Sequence, residues 1–221
     1  MQEVSVAIHY QEFSHPGKVY LFSWLINIIL SIILFWKLKR LKKVKNYGLS
    51  TNSIIKVETL SGIILLSENS EGLVKVDMGL PDIRKTTNRH GVSYDHVLIG
   101  NPHAVINLAD NNISEKDYQD VANDIQSTWQ DGINVGFMSI IDKNSIQLKV
   151  FERGSGFTMA CGSGACAAAA VAISKNKLKT PINVNMDGGV VQIDWDMKNT
   201  MTLSGSAEIS FEGEVDLNVY T

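Results

Sequence analysis

The most informative stretch of this sequence is Glu152-Arg153-Gly154-Ser155-Gly156-Phe157-Thr158-Met159-Ala160-Cys161-Gly162-Ser163-Gly164-Ala165-Cys166. Its glycine-, serine- and alanine-rich turn leads into a small-residue apolar run, Ala165–Ile173. This order predicts a strand, a tight turn and then the N-terminus of a buried helix. Unpaired backbone N–H groups and the positive end of the helix dipole gather at such a terminus.

Cys161 lies at the predicted start of this helix. A thiol in that position is biased toward the thiolate, which is the reactive form. The same N–H groups can hold a substrate carboxylate. A buried structural cysteine is the alternative interpretation. The neighbouring glycines, the upstream Glu152–Arg153 pair and the helix start together favour a reactive site.

The composition excludes several classes of function. The chain has 221 residues, 44% of them apolar, and a net charge of −3, so no basic surface suggests nucleic-acid binding. No nucleotide-binding motif occurs, and the five histidines form no metal-binding spacing, so the sequence predicts no cofactor and no metal. The two cysteines, Cys161 and Cys166, suit neither a disulfide framework nor a zinc site, and they fit a reducing compartment.

The first 49 residues differ from the rest. Val19–Trp36 is an 18-residue segment without charge, followed by a lysine- and arginine-rich segment from Lys37 to Lys45. Eighteen such residues are about the minimum for a bilayer span, and the basic flank would place the following domain in the cytoplasm. Three interpretations stay open: a membrane anchor, a buried helix of a soluble domain, and a non-native N-terminus.

Residues 50–221 have the pattern of a regular globular domain. A helix is expected from Ser114, as N-cap with Asp117 at N3, to about Ser127, with Tyr118, Val121, Ala122 and Ile125 on one face. Alternating runs predict strands at Ile54–Glu58, Ile63–Ser67, Leu73–Asp77, Val97–Ile99, Ala104–Leu108, Val135–Ile141, Ile146–Phe151, Ile182–Met186, Val190–Trp195, Thr200–Ser204 and Ala207–Phe211. We expect an α+β fold, with a curled, mostly antiparallel sheet around the central buried helix, preceded by the apolar N-terminal helix.

Several motifs, taken in order, resemble the C-terminal half of diaminopimelate epimerase. They are Gly100-Asn101-Pro102-His103-Ala104-Val105, Asn134 ahead of a strand, Glu152-Arg153-Gly154 and Ala160-Cys161-Gly162-Ser163-Gly164-Ala165. Val57-Glu58-Thr59-Leu60-Ser61-Gly62-Ile63 and Val76-Asp77-Met78-Gly79 resemble the family's domain entry. The similarity covers about Tyr47 to Thr221, and the ordered set of motifs makes it specific.

The resemblance implies an isomerase that interconverts LL- and meso-diaminopimelate for lysine and peptidoglycan precursor synthesis, without pyridoxal phosphate or metal. In that family one cysteine removes the α-proton, and a second cysteine on the opposite face returns a proton. Cys161 matches the cysteine of the C-terminal domain, and His103 and Glu152 match residues that tune the cysteine pKa values. The matches to substrate contacts are Asn101, Asn134, Glu152, Arg153, Gly162 and Ser163.

The residues alone are also compatible with purely structural roles. Asn101, His103 and Asn134 are also ordinary turn residues, and Glu152–Arg153 could be a surface ion pair. Cys166 is best explained as a small residue of the helix core. Whether the chain forms a homodimer stays open as well.

The sequence departs from the family in one respect that bears on catalysis. The family's N-terminal domain carries the partner cysteine in a Met-Cys-Gly-Asn-Gly type of motif, whereas no cysteine precedes Cys161 here. Cys166 lies about 7 Å further along the helix and turns away from its terminus. We therefore expect either an epimerase impaired by the missing cysteine or a non-catalytic remnant, truncated or membrane-tethered. A related proline or hydroxyproline racemase-type substrate stays open.

Overall fold

The computed structural model describes residues 53–59 and 62–207. Within those ranges two α-helices form, α1 (Tyr118–Gln126) and α2 (Gly162–Ser174), together with two 3-10 turns, Leu108–Asp110 and Glu115–Asp117. The strands are β1 Ile54–Thr59, β2 Gly62–Glu68, β3 Val74–Gly79, β4 Asp82–Arg89, β5 Val92–Ile99, β6 Asn101–Asn107, β7 Asn134–Ile140, β8 Ser145–Glu152, β9 Gly156–Thr158, β10 Ile182–Met186, β11 Gly189–Asp194 and β12 Met201–Gly205.

These strands form one sheet in the order β1-β2-β3-β12-β11-β10-β8-β7-β6-β5-β4, with β9 added to β8. The pairs β6–β7 and β8–β10 are parallel, and the other neighbouring pairs are antiparallel. The expected mostly antiparallel sheet is therefore confirmed for the described residues.

Helix α2 lies at the centre of the main core. Every residue from Gly164 to Ile173 is buried, and the helix contacts β5 to β8 and β10 to β12. The sheet thus wraps around the helix. A run of alanines allows this because small side chains let strands approach the helix on all sides, as the all-round apolar pattern predicts.

Helix α1 covers the opposite face of β5 to β8 through a second core. Tyr118, Ala122 and Ile125 are buried there, and the Tyr118 ring stacks on Phe137 with the ring centroids 4.0 Å apart. The predicted apolar face of this helix is therefore confirmed. The expected cap is wrong, because Ser114 makes no side-chain cap hydrogen bond.

The start of α1 differs from the expectation for a local reason. The backbone N–H of Asp117 donates to the Ser114 carbonyl at 2.9 Å, which closes a 3-10 turn ahead of the helix. The α-helix consequently begins only at Tyr118. The Asp117 N–H, which was expected to donate to the Ser114 hydroxyl, donates to the Ser114 backbone carbonyl instead.

Two strands have no counterpart in the sequence pattern. β4 (Asp82–Arg89) is almost entirely polar and exposed, and it lies at one edge of the sheet, where it pairs with β5. β9 (Gly156–Thr158) has only three residues. Backbone pairing with a neighbour, which no periodic pattern records, supports both strands.

Some expectations fall outside the described residues. They are the apolar helix Val19–Trp36 with its basic flank, the domain boundary near residue 50, and nearly all of the strand Ala207–Phe211. In the part that the structure describes, no helix has the length and apolarity needed to span a bilayer.

Candidate active site

Cys161 is the N-cap residue of α2 and joins β9 to the central helix. Its backbone is extended (φ −138°, ψ 108°), and the residue is 3% exposed. Gly164 lies one turn further on, where a Cβ atom would come within 3.2 Å of both the Cys161 sulfur and Val150. Glycine at this position therefore leaves the space that the thiol occupies above the first helical turn.

Glu152 holds the thiol from the end of β8. The Cys161 thiol donates to Glu152 Oε2 at 3.4 Å, and the Thr158 hydroxyl donates to Glu152 Oε1 at 2.6 Å. Glu152 is only 5% exposed. Each carboxylate oxygen thus accepts a hydrogen bond from a residue that follows closely in sequence, Thr158 at the end of β9 and Cys161 just beyond that strand.

The protonation of Cys161 differs from the expectation at the helix start. Burial raises the pKa of the Cys161 thiol, and the negative charge of Glu152 raises it further. The Gly164 backbone N–H and the Ser163 hydroxyl act in the opposite direction, but they are outweighed. The predicted bias toward thiolate is therefore wrong for this structure, because desolvation and a nearby carboxylate oppose the helix dipole.

His103 approaches the cysteine through a hydroxyl group. It is 1% exposed on β6 and lies opposite Asn134 on β7. His103 Nε2 is 3.1 Å from Ser163 Oγ, which lies 3.7 Å from the Cys161 sulfur. Burial, with the nearby Arg153 charge and His96, lowers the pKa of His103 to about 3, so the ring is neutral at physiological pH.

Arg153 connects the remaining predicted residues. Its backbone N–H donates to Asn134 Oδ1 at 3.0 Å, and its guanidinium donates to Asn101 Oδ1 at 3.4 Å. The guanidinium also donates to the Asp131 carbonyl at 2.6 Å. Gly132 has φ +71°, and a Cβ there would lie 3.1 Å from the Arg153 Cβ, so the loop packs closely along the arginine stem.

The structure thus brings together all the residues predicted for the site. Glu152 and Ser163 contact the Cys161 thiol, and His103 contacts Ser163. Arg153 joins Asn101 and Asn134. The two groups are linked across the sheet, because His103 lies opposite Asn134 on neighbouring strands and the Arg153 charge acts on His103. Gly162 is the first residue of α2, at the same terminus.

Sequence reasoning missed three residues that hold the cysteine turn. Thr158 binds Glu152, Gly164 leaves room for the sulfur, and the Met186 sulfur accepts the Cys161 backbone N–H at 3.4 Å. Thr158 and Gly164 lie inside the motif, but their small size hides their role. Met186 carries no local signal, since it approaches from β10.

Among residues 53–59 and 62–207, no cluster of three His, Cys, Asp or Glu side chains could hold a metal ion.

Solved structures with the same fold include amino-acid racemases. A probable proline racemase from Agrobacterium radiobacter matches with a TM-score of 0.61 at 12% identity, covering 82% of this chain and 66% of that chain. A phenazine biosynthesis protein from Enterococcus faecalis matches with a TM-score of 0.58 at 15% identity, covering 82% of this chain and 72% of that chain. The chain thus has the mixed, sheet-dominated α+β fold of these proteins and spans about two thirds of the racemase's length.

Sequence comparison identifies the family. The family model described as diaminopimelate epimerase matches residues 96–210. The diaminopimelate epimerase of Nitrosomonas eutropha is 36% identical over 191 residues, which cover 79% of this chain and 69% of that protein. The enzyme of the same name from Coxiella burnetii is 35% identical over 188 residues, covering 77% and 68%. The chain belongs to the diaminopimelate epimerase family of isomerases.

Proposed function

We propose that this chain is a cofactor-independent epimerase that interconverts LL- and meso-diaminopimelate, and that Cys161 transfers one of the two protons. The observation that carries this proposal is the buried thiol of Cys161, hydrogen-bonded to Glu152 at the N-terminus of α2. The family of the chain supports the substrate. Lysine and peptidoglycan precursor synthesis in the cytoplasm is the corresponding role.

The raised pKa of Cys161 makes the thiol the resting form at neutral pH. Cys161 is therefore ready to donate: its S–H bond breaks, the proton passes to the substrate α-carbanion, and the sulfur is left as a thiolate. In the reverse direction the thiolate takes the α-proton. Gly162 and Ser163, at the helix N-terminus, lie where backbone N–H groups would stabilise the α-carboxylate, onto which the carbanion charge spreads.

The polar groups around the thiol divide the remaining tasks. Neutral His103 holds the Ser163 hydroxyl next to the sulfur without adding a charge. Arg153, braced by the Asp131 carbonyl and Asn101, supplies a cation that suits a substrate carboxylate. Asn101 and Asn134 supply amide groups for the distal carboxylate and ammonium of the substrate.

The proposed reaction needs a second proton-transfer group, and the sequence supplies no second cysteine in a suitable position. The sequence holds only Cys161 and Cys166, and Cys166 is fully buried inside the core around α2. We infer that the chain by itself is a poor epimerase. Loss of one positioned acid–base group costs about 10²–10⁴-fold in rate. This deficit also supports a second candidate function, a non-catalytic member of the family.

The test is deuterium exchange into the α-position of LL- and meso-diaminopimelate in D₂O, followed by isomer analysis. We expect exchange of one isomer with little inversion, and exchange that increases with pH beyond the ordinary thiol pKa of about 8.5. Cys161→Ala should abolish the exchange, and Cys166→Ala is the matched control that should retain it. Exchange that survives in Cys161→Ala would refute the role of this cysteine.

The outcomes of the exchange assay distinguish the candidate functions. Inversion at the rate of an intact epimerase would mean that another group, from this chain or a partner, supplies the second proton. Absence of exchange with either isomer would favour the non-catalytic candidate. Exchange of proline or hydroxyproline in place of diaminopimelate would move the assignment to a related racemase.

A further inference from the structure

Thr158 makes a short side-chain hydrogen bond to the carboxylate that holds the thiol. Its hydroxyl donates to Glu152 Oε1 at 2.6 Å, while the Cys161 thiol donates to Glu152 Oε2 at 3.4 Å. A hydroxyl–carboxylate bond of this length is charge-assisted and stronger than a neutral one. The two oxygens have different partners, so the Thr158 bond favours the orientation in which Oε2 faces the sulfur.

The backbone places Thr158 for this contact. β8 and β9 form a tight antiparallel pair, with Val150 opposite Thr158 and Glu152 opposite Gly156. Gly154 and Gly156, at φ +75° and +74°, make the turn between the strands. Thr158 is thus returned to Glu152 just before the chain enters the cysteine turn. Its branched Cβ restricts the side-chain rotamer and therefore the direction of the hydroxyl.

We propose that Thr158 is a positioning residue for the reaction: it holds the Glu152 carboxylate so that one oxygen stays against the Cys161 sulfur. This inference rests on the proposed function of Cys161. Thr158 acts only through Glu152. Without the hydroxyl, Glu152 Oε1 loses its 2.6 Å hydrogen bond from Thr158, and the carboxylate is held less firmly against the thiol while the strands remain paired.

The first experiment compares Thr158→Val, which removes the hydroxyl at constant shape, with Thr158→Ser, which keeps it. In the exchange assay, with rates compared at equal fractions of Cys161 thiolate, we expect Thr158→Val to lose about tenfold to a hundredfold in kcat with little change in KM, as small misplacements of reacting groups do. Thr158→Ser should recover most of the activity. A serine variant as impaired as the valine variant would overturn the proposal, because lost packing would then explain both.

The matched control is Thr86→Val. Thr86 Oγ1 donates to Asp95 Oδ1 at 2.7 Å, a similar threonine–carboxylate bond, and Asp95 also binds Lys175 beyond the C-terminal end of α2. This variant should leave exchange unchanged. An equal loss of exchange in Thr86→Val would show that any such bond matters through general stability, and it would overturn a specific role of Thr158.

A second experiment does not depend on substrate turnover. The rate of Cys161 alkylation by iodoacetamide is measured against pH in the Cys166→Ala background, where Cys161 is the only thiol. Because the Glu152 charge raises the Cys161 pKa, Thr158→Val should shift the profile to lower pH, whereas Thr158→Ser and Thr86→Val should match the parent. Coincident profiles for Thr158→Val and the parent would overturn the proposal. A shifted profile without any substrate exchange would refute the proposed catalysis alone.

Discussion

Two buried titratable residues of the site are held in their neutral forms. His103 and Cys161 are both taken out of water, and in each case the neutral form is favoured: burial lowers the pKa of the histidine and raises that of the thiol. Both groups are therefore neutral at physiological pH, and Glu152 and Arg153 supply the formal charges around them. A neutral proton donor beside a fixed carboxylate suits the return of a proton to a carbanion.

Burial of His103 makes the folding stability of the protein depend on pH. In the unfolded chain His103 binds a proton below about pH 6.5, whereas the folded chain resists protonation until about pH 3. Its contribution to stability is therefore complete above pH 6.5 and is lost as the pH falls toward 3. We expect a loss of roughly 3 kcal/mol between pH 7 and pH 4 from this group. Urea titrations at both pH values measure it.

The control for this prediction is His103→Gln, which keeps a polar side chain and removes the titration. The acid-dependent loss should be smaller in this variant. It should not vanish, because burial also lowers the pKa of His96. An unchanged pH dependence in His103→Gln would show that other groups control acid stability.

Helix α2 is the central element of the main core. Its alanines are enclosed by strands from both halves of the sheet, so its small cross-section sets how closely those strands approach. A helix with larger side chains in this position would force the strands apart. The polar end of the same helix, at Gly162 and Ser163, remains available to the site.

Ala168→Leu tests this packing, since Ala168 is fully buried in α2. We expect overpacking to lower the free energy of unfolding by about 1–3 kcal/mol, although leucine is a good helix former. The control is Asn123→Leu on the exposed face of α1, where the change should stay within about 0.5 kcal/mol. Equal effects of the two substitutions in urea denaturation would contradict a tightly packed central helix.

At the scale of the whole molecule, polar contacts hold α2 to the sheet at both ends. The N-terminus is bound through Cys161 and Glu152, and Lys175, just after the C-terminus, pairs with Asp95 of β5 at 2.6 Å. The 13 residues of the helix separate these ends, which corresponds to about 20 Å. The candidate site and the distal ion pair can therefore be perturbed independently.

Asp95→Ala should separate stability from chemistry. Asp95 is buried and Lys175 is one-third exposed, so we expect a loss of about 1–2 kcal/mol, reduced by the hydration of the lysine. The alkylation profile of Cys161 and substrate exchange should not change. A double-mutant cycle with Lys175→Ala measures the coupling between the pair. A shifted alkylation profile in Asp95→Ala would mean that the two ends of α2 are not independent.

Local patterns in the sequence were sufficient to predict the central helix, several strands and the family of this protein. The small-residue run after Cys161 predicted a buried central helix, and the alternation of Ile182–Met186 predicted β10 with its observed bounds. The motifs around His103 and Cys161 were sufficient to suggest the family. Such patterns are informative because the period of apolar residues directly reflects which face of an element is buried.

Other features were decided only by tertiary structure. The polar edge strand β4 exists because β5 offers it backbone partners, and Ser163 meets His103 across 60 residues of sequence. The protonation of Cys161 was misjudged from sequence because the helix dipole is a local property, whereas burial and the Glu152 charge arise only when distant segments pack together. Desolvation and Coulomb interactions depend on distances in space, and a linear pattern does not contain them.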